Sequence, residues 1–475
     1  MTETRVAPPA GPPPAVSPRG QAAALALSHW PFLVLFGVAA AIRLVFWLEL
    51  KPGLMFADSW IYLNDTRPLT YLMYRPAGYV FVLLALGSER SLELVTALQH
   101  LAGLATGALV YLLCLKQGVS RWLALIPAAL FLLNAFTVVL EQYLLTEAFF
   151  ALLLLLGIGL AAVYPSRLLP LAFSGLCLAL SGLLRGAGMF AVPFWLVWLA
   201  VHNRHNLKVL VAPLLALVLP IAGYVGIRNA STDYGTLSII RGEGWFLYGR
   251  AMSFADCSQV ELDEELEPLC PADKPEQIPE WYVWAGESPA RTFYEDDDPS
   301  HNDEVRRVAL DIIRQQPLDF AVAVAKDLSR AFRPGGGGHD DASVVLAYEG
   351  EPYPFDVAWP AAANIVDKFD MEYRIPKVSR DSFPALYWRF ARLPNLLLGV
   401  SVLLVLVAAL RPSWRGHPRA QVAFLLGASG VGMLFFAVAS HTYTVRYVVP
   451  VVPLIAAAGV LAFSVLVDRP GKSRT

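Results

Sequence analysis

Long apolar runs recur along this chain, each close to the length a helix needs to cross a bilayer. "WPFLVLFGVAAAIRLVFWLEL" at 30–50 is the first, and "VRYVVPVVPLIAAAGVLAFSVLV" at 445–467 is the last. A spanning helix takes about 20 apolar residues. By that measure the sequence holds about ten spans, near 29–48, 91–115, 122–140, 144–163, 168–184, 186–201, 209–227, 387–410, 420–440 and 445–467. Charged residues make up only 16% of the chain, against about 25% in soluble domains. Lipid in place of water around most of the molecule explains that deficit. The fold class expected is an all-α polytopic membrane protein with a large mixed extracytoplasmic domain inserted after the seventh helix.

Basic residues in short loops set orientation. With the N-terminus inside, the inner segments hold Arg5, Arg19, Lys116, Arg121, Arg167, Arg204, Lys208, Arg411, Arg415, Arg419, Arg469, Lys472 and Arg474. Alternating spans bring all of them to one side, so both termini are expected in the cytoplasm of a multi-pass cell-membrane protein. Residues 1–28 read as a Pro-rich cytoplasmic tail that cannot bury a core. Residues 29–227 form an N-terminal transmembrane module that includes a first outer loop at 49–90. Its apolar part, "YVFVLLALG", looks too short to cross. Residues 228–386 form the extracytoplasmic domain, 387–467 the C-terminal helices and 468–475 a second cytoplasmic tail. Within the domain, "NDEVRRVALDIIRQQPLDFAVAVAKDLSRAF" has helical spacing interrupted at Pro317. Cys257 and Cys270 both lie there, and the sequence leaves open whether they pair; Cys114 and Cys177 read as small packed hydrophobes.

On this topology, ionisable residues near the spans gather at one depth. Arg43 ends the first span, Asp58 and Arg75 occupy the first outer loop, and Glu141 and Glu147 flank the turn "EQYLLTEAFF". Arg185 follows in "LLRGAG", and His441, Tyr443 and Arg446 lie in "SHTYTVRYVV". Ionisable groups in a membrane are costly and point to function. Each also has an ordinary reading: Asp58 as a helix cap, Glu147 as an acidic first turn, the arginines as groups reaching for headgroups. Those readings do not account for a shared depth, whereas a cavity does. "EDDD" at 295–298 has a D-x-D spacing but reads as a solvated acidic loop. His301, His339, Asp340 and Asp341 show no metal-ligand spacing. A divalent metal is compatible with the chemistry, but no spacing indicates one. Asn64 and Asn229 match the N-glycosylation pattern, which has meaning only in a eukaryotic secretory system.

The motifs "FADSWIYL", "YRPAGY", "EQYLLTEAFFALLLL", "LSGLLRGAGMFAVPFWLVWL", "GYVGIRN" and "RYVVPVVPLIAAAG", in that order, resemble the GT-C superfamily of integral membrane glycosyltransferases. Aminoarabinose transferases and protein O-mannosyltransferases are among its members. The resemblance implies a polyprenyl-phosphate sugar donor held at the membrane surface, an extracytoplasmic acceptor (glycan, lipid or protein), contact with membrane lipid, and no nucleic-acid partner. It implies Asp58 as catalytic base, with basicity raised by apolar neighbours. Arg75, Arg185 and Arg446 would bind the donor phosphate, with Glu141, Glu147, Arg43, His441 and Tyr443 around the substrate. Many members carry an acidic pair in the first outer loop; here Asp58 has only Asp65 nearby, seven residues on. Two other classes share features of this pattern. A polymerase or ligase acting on lipid-linked glycans shares the carrier, and a secondary transporter shares the spans but favours repeated halves and midplane sites.

Overall fold

The structure is a computed structural model describing residues 28–67, 69–70, 74–88, 91–232, 235–294, 299–333, 344–353, 373–392, 395–411 and 416–467. The expected tails (apart from Ser28), the acidic run 295–298 and His339, Asp340 and Asp341 lie outside the described residues. The helices are α1 (Trp30–Glu49), α2 (Ala57–Asn64), α3 (Gly78–Ala85), α4 (Leu92–Lys116), α5 (Arg121–Leu132) and α6 (Ala135–Gln142). They continue with α7 (Glu147–Val163), α8 (Leu168–Leu184), a 3-10 segment (Gly186–Ala191), α9 (Val192–Asn203), α10 (Leu207–Ala230), α11 (Glu243–Met252) and α12 (Pro279–Trp284). After these come α13 (Pro289–Tyr294), α14 (Asn302–Gln315), α15 (Pro317–Arg330), α16 (Phe383–Phe390), α17 (Leu396–Leu410), α18 (Pro418–Ser440) and α19 (Val445–Val467). Among the described residues there are isolated β-bridges but no strand, so the mixed composition expected of the inserted domain gives way to a helical one.

Among the described residues, six helical segments are long and apolar enough to cross a membrane: α1, α4, the segment Gly186–Asn203, α10, α18 and α19. The pair α5 and α6, bent by 47°, makes a seventh if counted as one span, and α7, α8 and α17 are shorter apolar helices. The protein is therefore a multi-pass membrane protein built on these segments. α19 is apolar on every side and lies at the centre, buried along nearly its whole length, as an all-round hydrophobic helix should be. It packs against α18, α17, α5 and α7, while α8 packs against α7 and α10. α1 and α10 lie at the periphery and expose much of their apolar surface.

Two expected spans are broken, for physical reasons. The third breaks at Asn134, whose side-chain oxygen accepts from the Phe136 amide at 3.2 Å and so caps a new helix, α6. The break leaves backbone groups that must find partners. Tyr387 donates its hydroxyl to the Leu133 carbonyl at 2.7 Å, and the Ala391 carbonyl accepts from the Ala135 amide at 2.8 Å. Both partners come from α16 or its C-terminal end, which is why the run expected at 387–410 divides and only α17 remains as its apolar part.

The domain between α10 and α16 has its own core. α14 buries Val305, Val308, Ala309 and Ile312, the i, i+3, i+4, i+7 face of an amphipathic helix, against α11. Pro317 occupies the first turn of α15, where its missing N–H costs nothing. Cys257 and Cys270 form a disulfide with Cα atoms 5.4 Å apart. In the first loop, α3 has only eight residues, too short to cross as expected. Its Gly78 sits so near α8 that a Cβ would lie 2.2 Å from the Leu183 carbonyl oxygen.

Candidate functional site

α2 is short and polar at its start, and its position comes from the chain before it. Leu54 pairs with Tyr143 in a parallel bridge, with Leu54 donating its amide to the Gln142 carbonyl at 2.9 Å and accepting from the Leu144 amide at 3.1 Å. That bridge fixes the α2 segment to the link between α6 and α7. Two tyrosines clamp it from the far side of the sequence: Tyr353 donates to the Met55 carbonyl at 2.9 Å and Tyr373 to the Gly53 carbonyl at 2.8 Å. Phe56, not Asp58, caps α2, with Ser59 Oγ accepting from the Phe56 amide at 3.0 Å. Asp58 is thereby left for other partners.

Those partners are arginines. Arg75 donates through Nη2 to Asp58 Oδ1 at 2.5 Å, and Arg446 Nη2 lies 3.0 Å from Oδ2. Arg446 also donates through Nε to Glu147 Oε1 at 2.5 Å, and Arg185 donates to the same oxygen. The result is a continuous chain, Arg75–Asp58–Arg446–Glu147–Arg185, drawn from four separate parts of the sequence. Three guanidinium groups face two carboxylates, so the cluster carries one net positive charge. Asp58 is only 8% exposed and Glu147 1%, so solvent screens these charges weakly. Aromatic rings support the cations, with Arg185 4.3 Å from the Tyr447 ring centroid and Arg446 4.8 Å from that of Phe56.

The electrostatics correct one expectation. Burial pushes the Asp58 carboxyl up, but Arg75 and Arg446 more than offset this and hold it below the usual carboxylate range. Apolar neighbours therefore do not make Asp58 more basic while both arginines are in place. Tyr62, one helical turn on, is raised by burial and by the Asp58 charge, and stays a neutral phenol.

A cavity of about 760 Å³ opens at this cluster, lined by Asp58, Arg75, Arg185, His441 and Arg446. Rings of Tyr62, Tyr74, Phe246 and Trp284 add apolar wall, as do Ile221 and Met189. Glu147 lies directly behind the arginines and does not line it. The domain supplies further lining through α11 and α12, where the Trp284 ring lies 5.6 Å from the Arg75 guanidinium, and it reaches back to α18. Arg250, itself held by Asp327 at 2.7 Å, donates through Nε to the His441 carbonyl at 3.0 Å. Burial and the arginines nearby push the His441 imidazole down to about 3, so it is neutral.

Three residues expected at the substrate sit elsewhere. Arg43 and Glu141, each 2% exposed, pair with each other through Nε–Oε2 at 2.8 Å and Nη2–Oε1 at 2.9 Å. His100 Nδ1 joins Glu141 Oε2 at 2.8 Å, and Arg43 Nη1 donates to the Leu132 carbonyl at 2.9 Å. This network closes the α5–α6 break. Gly103 admits it, because a Cβ there would overlap Glu141 Oε1. Tyr443 is nearly buried and does not line the cavity. Asp65 caps the other end of α2, about 10 Å of helix from Asp58, and forms no pair with it. Among the described residues no three His, Cys, Asp or Glu side chains are grouped to hold a metal ion. The sequence reading missed Tyr62, Tyr74, Phe246, Trp284 and Tyr447. Tyr74 and Tyr447 each adjoin a singled-out arginine, a signal that was present in "YRP" and "VRY".

Comparison with known proteins follows from this geometry. Residues 88–231 match the model of the dolichyl-phosphate-mannose-protein mannosyltransferase family. That segment runs from before α4 through α10, carrying Glu147 and Arg185 but neither Asp58 nor Arg446. No curated protein matches the chain. Among solved structures, the Saccharomyces cerevisiae protein O-mannosyltransferase Pmt1-Pmt2 complex bound to the sugar donor aligns at 19% identity and TM-score 0.35, over 42% of this chain and 33% of that one. The archaeal oligosaccharyltransferase AglB from Archaeoglobus fulgidus, in complex with an inhibitory peptide and a dolichol-phosphate, aligns at 14% identity and TM-score 0.39, over 92% of this chain and 50% of that one. ArnT from Cupriavidus metallidurans bound to undecaprenyl phosphate aligns at 14% identity and TM-score 0.34, over 90% of this chain and 78% of that one. The chain thus spans a third to a half of the length of the first two. Overlaps this loose assign no activity by themselves. What the comparisons show is that the segment 88–231, under a third of the chain, is similar to the dolichyl-phosphate-mannose-protein mannosyltransferase family.

Proposed function

We propose that the protein transfers a sugar from a polyprenyl-phosphate donor to an acceptor on the extracytoplasmic side, by a single inverting displacement. The observation that carries this reading is the net-positive chain Arg75–Asp58–Arg446–Glu147–Arg185, of which Arg75, Asp58, Arg446 and Arg185 line a cavity beside apolar helices. A polyprenyl phosphate carries its anion at headgroup level and its tail in lipid. Guanidinium forks match phosphate oxygens in pairs, and the spare positive charge is there to receive them.

In the displacement, the acceptor oxygen or nitrogen attacks the anomeric carbon, the bond from that carbon to the phosphate oxygen breaks, and the acceptor proton passes to Asp58. Polyprenyl phosphate leaves as an anion already stabilised by arginines, so no general acid is required. Asp58 does not act as base while Arg75 and Arg446 occupy both its oxygens. When the donor phosphate draws those guanidiniums onto itself, the carboxylate loses its cationic partners and gains basicity. Donor binding therefore switches on the base, which protects the site from idle protonation chemistry. Glu147 holds Arg185 and Arg446 at the angle the phosphate needs. The domain between α10 and α16, with its disulfide, would choose the acceptor, and the positive-inside pattern places it outside the cell.

The test is transfer from a panel of donors, some joined through a monophosphate and some through a diphosphate. Transfer of single sugars from monophosphate donors is expected. Activity confined to diphosphate-linked oligosaccharides would instead make the protein a polymerase or ligase.

A further inference from the structure

Beside the arginines the cavity carries two polar atoms that have no hydrogen-bond partner among the described residues: Glu243 Oε2 and His441 Nδ1, each shielded from solvent. Both belong to cavity-lining residues. Both neighbour Phe246. Glu243 and Phe246 are three apart on α11 and share a face, and the His441 ring sits 4.4 Å from Phe246, centroid to centroid. Phe246 is one of three rings in mutual contact, with Tyr74–Trp284 at 4.8 Å, Tyr74–Phe246 at 5.8 Å and Phe246–Trp284 at 6.0 Å. Tyr74 is fixed from the domain by Arg291, which donates to its hydroxyl at 3.0 Å. Trp284 keeps 43% of its surface exposed, so its ring has an uncovered part.

An exposed aromatic ring beside a carboxylate oxygen and an imidazole nitrogen suits a ligand with an apolar face and hydroxyls at its rim, since a hydroxyl both donates and accepts. That ligand is a pyranose ring. The Glu243 carboxylate repels a phosphate here, and Arg75, 5.6 Å from the Trp284 ring centroid, joins this wall to the arginine cluster, so a sugar on it lies next to the phosphate site. We infer that Glu243, His441, Phe246 and Trp284 form the acceptor subsite, and that it takes a sugar of a carbohydrate acceptor. The inference rests on the transferase reading and narrows it: the acceptor is a glycan, and its ring lies on Trp284 and Phe246 with hydroxyls on Glu243 and His441.

The experiment is saturation-transfer NMR on the full chain in a detergent without sugar headgroups. The probes are methyl glucopyranoside, methyl mannopyranoside, methyl galactopyranoside and a trisaccharide of each, with polyprenyl phosphate titrated separately. Binding of at least one series is expected, strengthened in the trisaccharide. It should weaken about tenfold or more in Glu243→Gln and in Trp284→Ala, as for a lost hydrogen bond to a charged group, with polyprenyl phosphate affinity unchanged. His441→Gln, which keeps an accepting oxygen, should lose less than His441→Ala. Polyprenyl phosphate binding without any glycoside binding overturns the inference and leaves the donor reading intact. Glycoside binding without polyprenyl phosphate binding does the reverse. Equal weakening of both ligands in Glu243→Gln gives the wall no selectivity for a glycan and also overturns the inference, as does glycoside binding indifferent to Glu243→Gln and Trp284→Ala.

Discussion

Arg446→Lys is the substitution that separates a phosphate clamp from a generic positive charge. Lysine keeps the charge but has one compact ammonium in place of a fork. In the structure Arg446 spans two carboxylates, with Nη2 3.0 Å from Asp58 and Nε 2.5 Å from Glu147. An ammonium reaches one of them well. Loss of one charge-assisted hydrogen bond in a buried site costs about 1.5–3 kcal/mol, or roughly a 10- to 150-fold change at 1.4 kcal/mol per decade. The same deficit applies to phosphate, which the fork would hold in two places. The assay is the inhibition constant of free polyprenyl phosphate together with the KM of the sugar donor, in detergent with a saturating acceptor. Both should rise by at least tenfold, while the acceptor KM stays within about twofold. Thermal unfolding run alongside checks that the chain is folded. Donor and inhibitor constants within twofold of the native values, in a folded protein, would refute a bidentate phosphate role for Arg446.

Other outcomes follow from the same contacts. Glu141→Gln leaves Arg43 buried without its counter-ion, a change worth about 3–5 kcal/mol in buried pairs; melting temperature and yield should fall while the donor KM of the folded fraction is unchanged. Cys257→Ser removes the only disulfide among the described residues and should destabilise the α11–α15 domain by about 2–5 kcal/mol, read as protease sensitivity of that domain. His441 is neutral when folded, with its imidazole pushed down from its ordinary value near 6.5 to about 3 by burial and the nearby arginines. The unfolded chain therefore binds a proton first as pH falls. Its contribution to stability is complete above about 6.5 and declines toward 3, by at most about 1.4 kcal/mol per pH unit. The slope of melting temperature against pH in that window should flatten in His441→Gln.

Much of the membrane frame was legible because apolar length is a local property. The first, second, fifth, ninth and tenth expected spans coincide with α1, α4, α8, α18 and α19 to within two residues at each end. Failures arose where a polar atom decided locally. Asn134 reads as a lone polar residue in "LFLLNAFTVV", yet its capping oxygen ends one helix and begins another. The eighth run, expected as one span over 387–410, opens instead on the end of α16 (Phe383–Phe390), with Arg389 and Arg392 in its polar first part. The gathering of Arg75, Arg185 and Arg446 around Asp58 was legible through depth, since positions at one level of a bundle have few places to go. Depth does not say which acid takes which base. Glu141 sits as near the outer turn as Glu147, but Gly103 opens a pocket that draws it to Arg43 instead. The aromatic wall was illegible because Tyr74, Phe246 and Trp284 meet only once α11 and α12 fold over the first loop.

The measurement closest to the centre of the account is the anomeric configuration of the product, determined by NMR, with the transfer rate measured in the native chain and in Asp58→Asn. Asparagine keeps shape and burial but cannot take the proton. A product inverted relative to its polyprenyl-phosphate donor, with the rate at least a hundredfold lower in a folded Asp58→Asn protein, is the expected result. A product of retained configuration, or an Asp58→Asn protein that transfers at near the native rate, would contradict it.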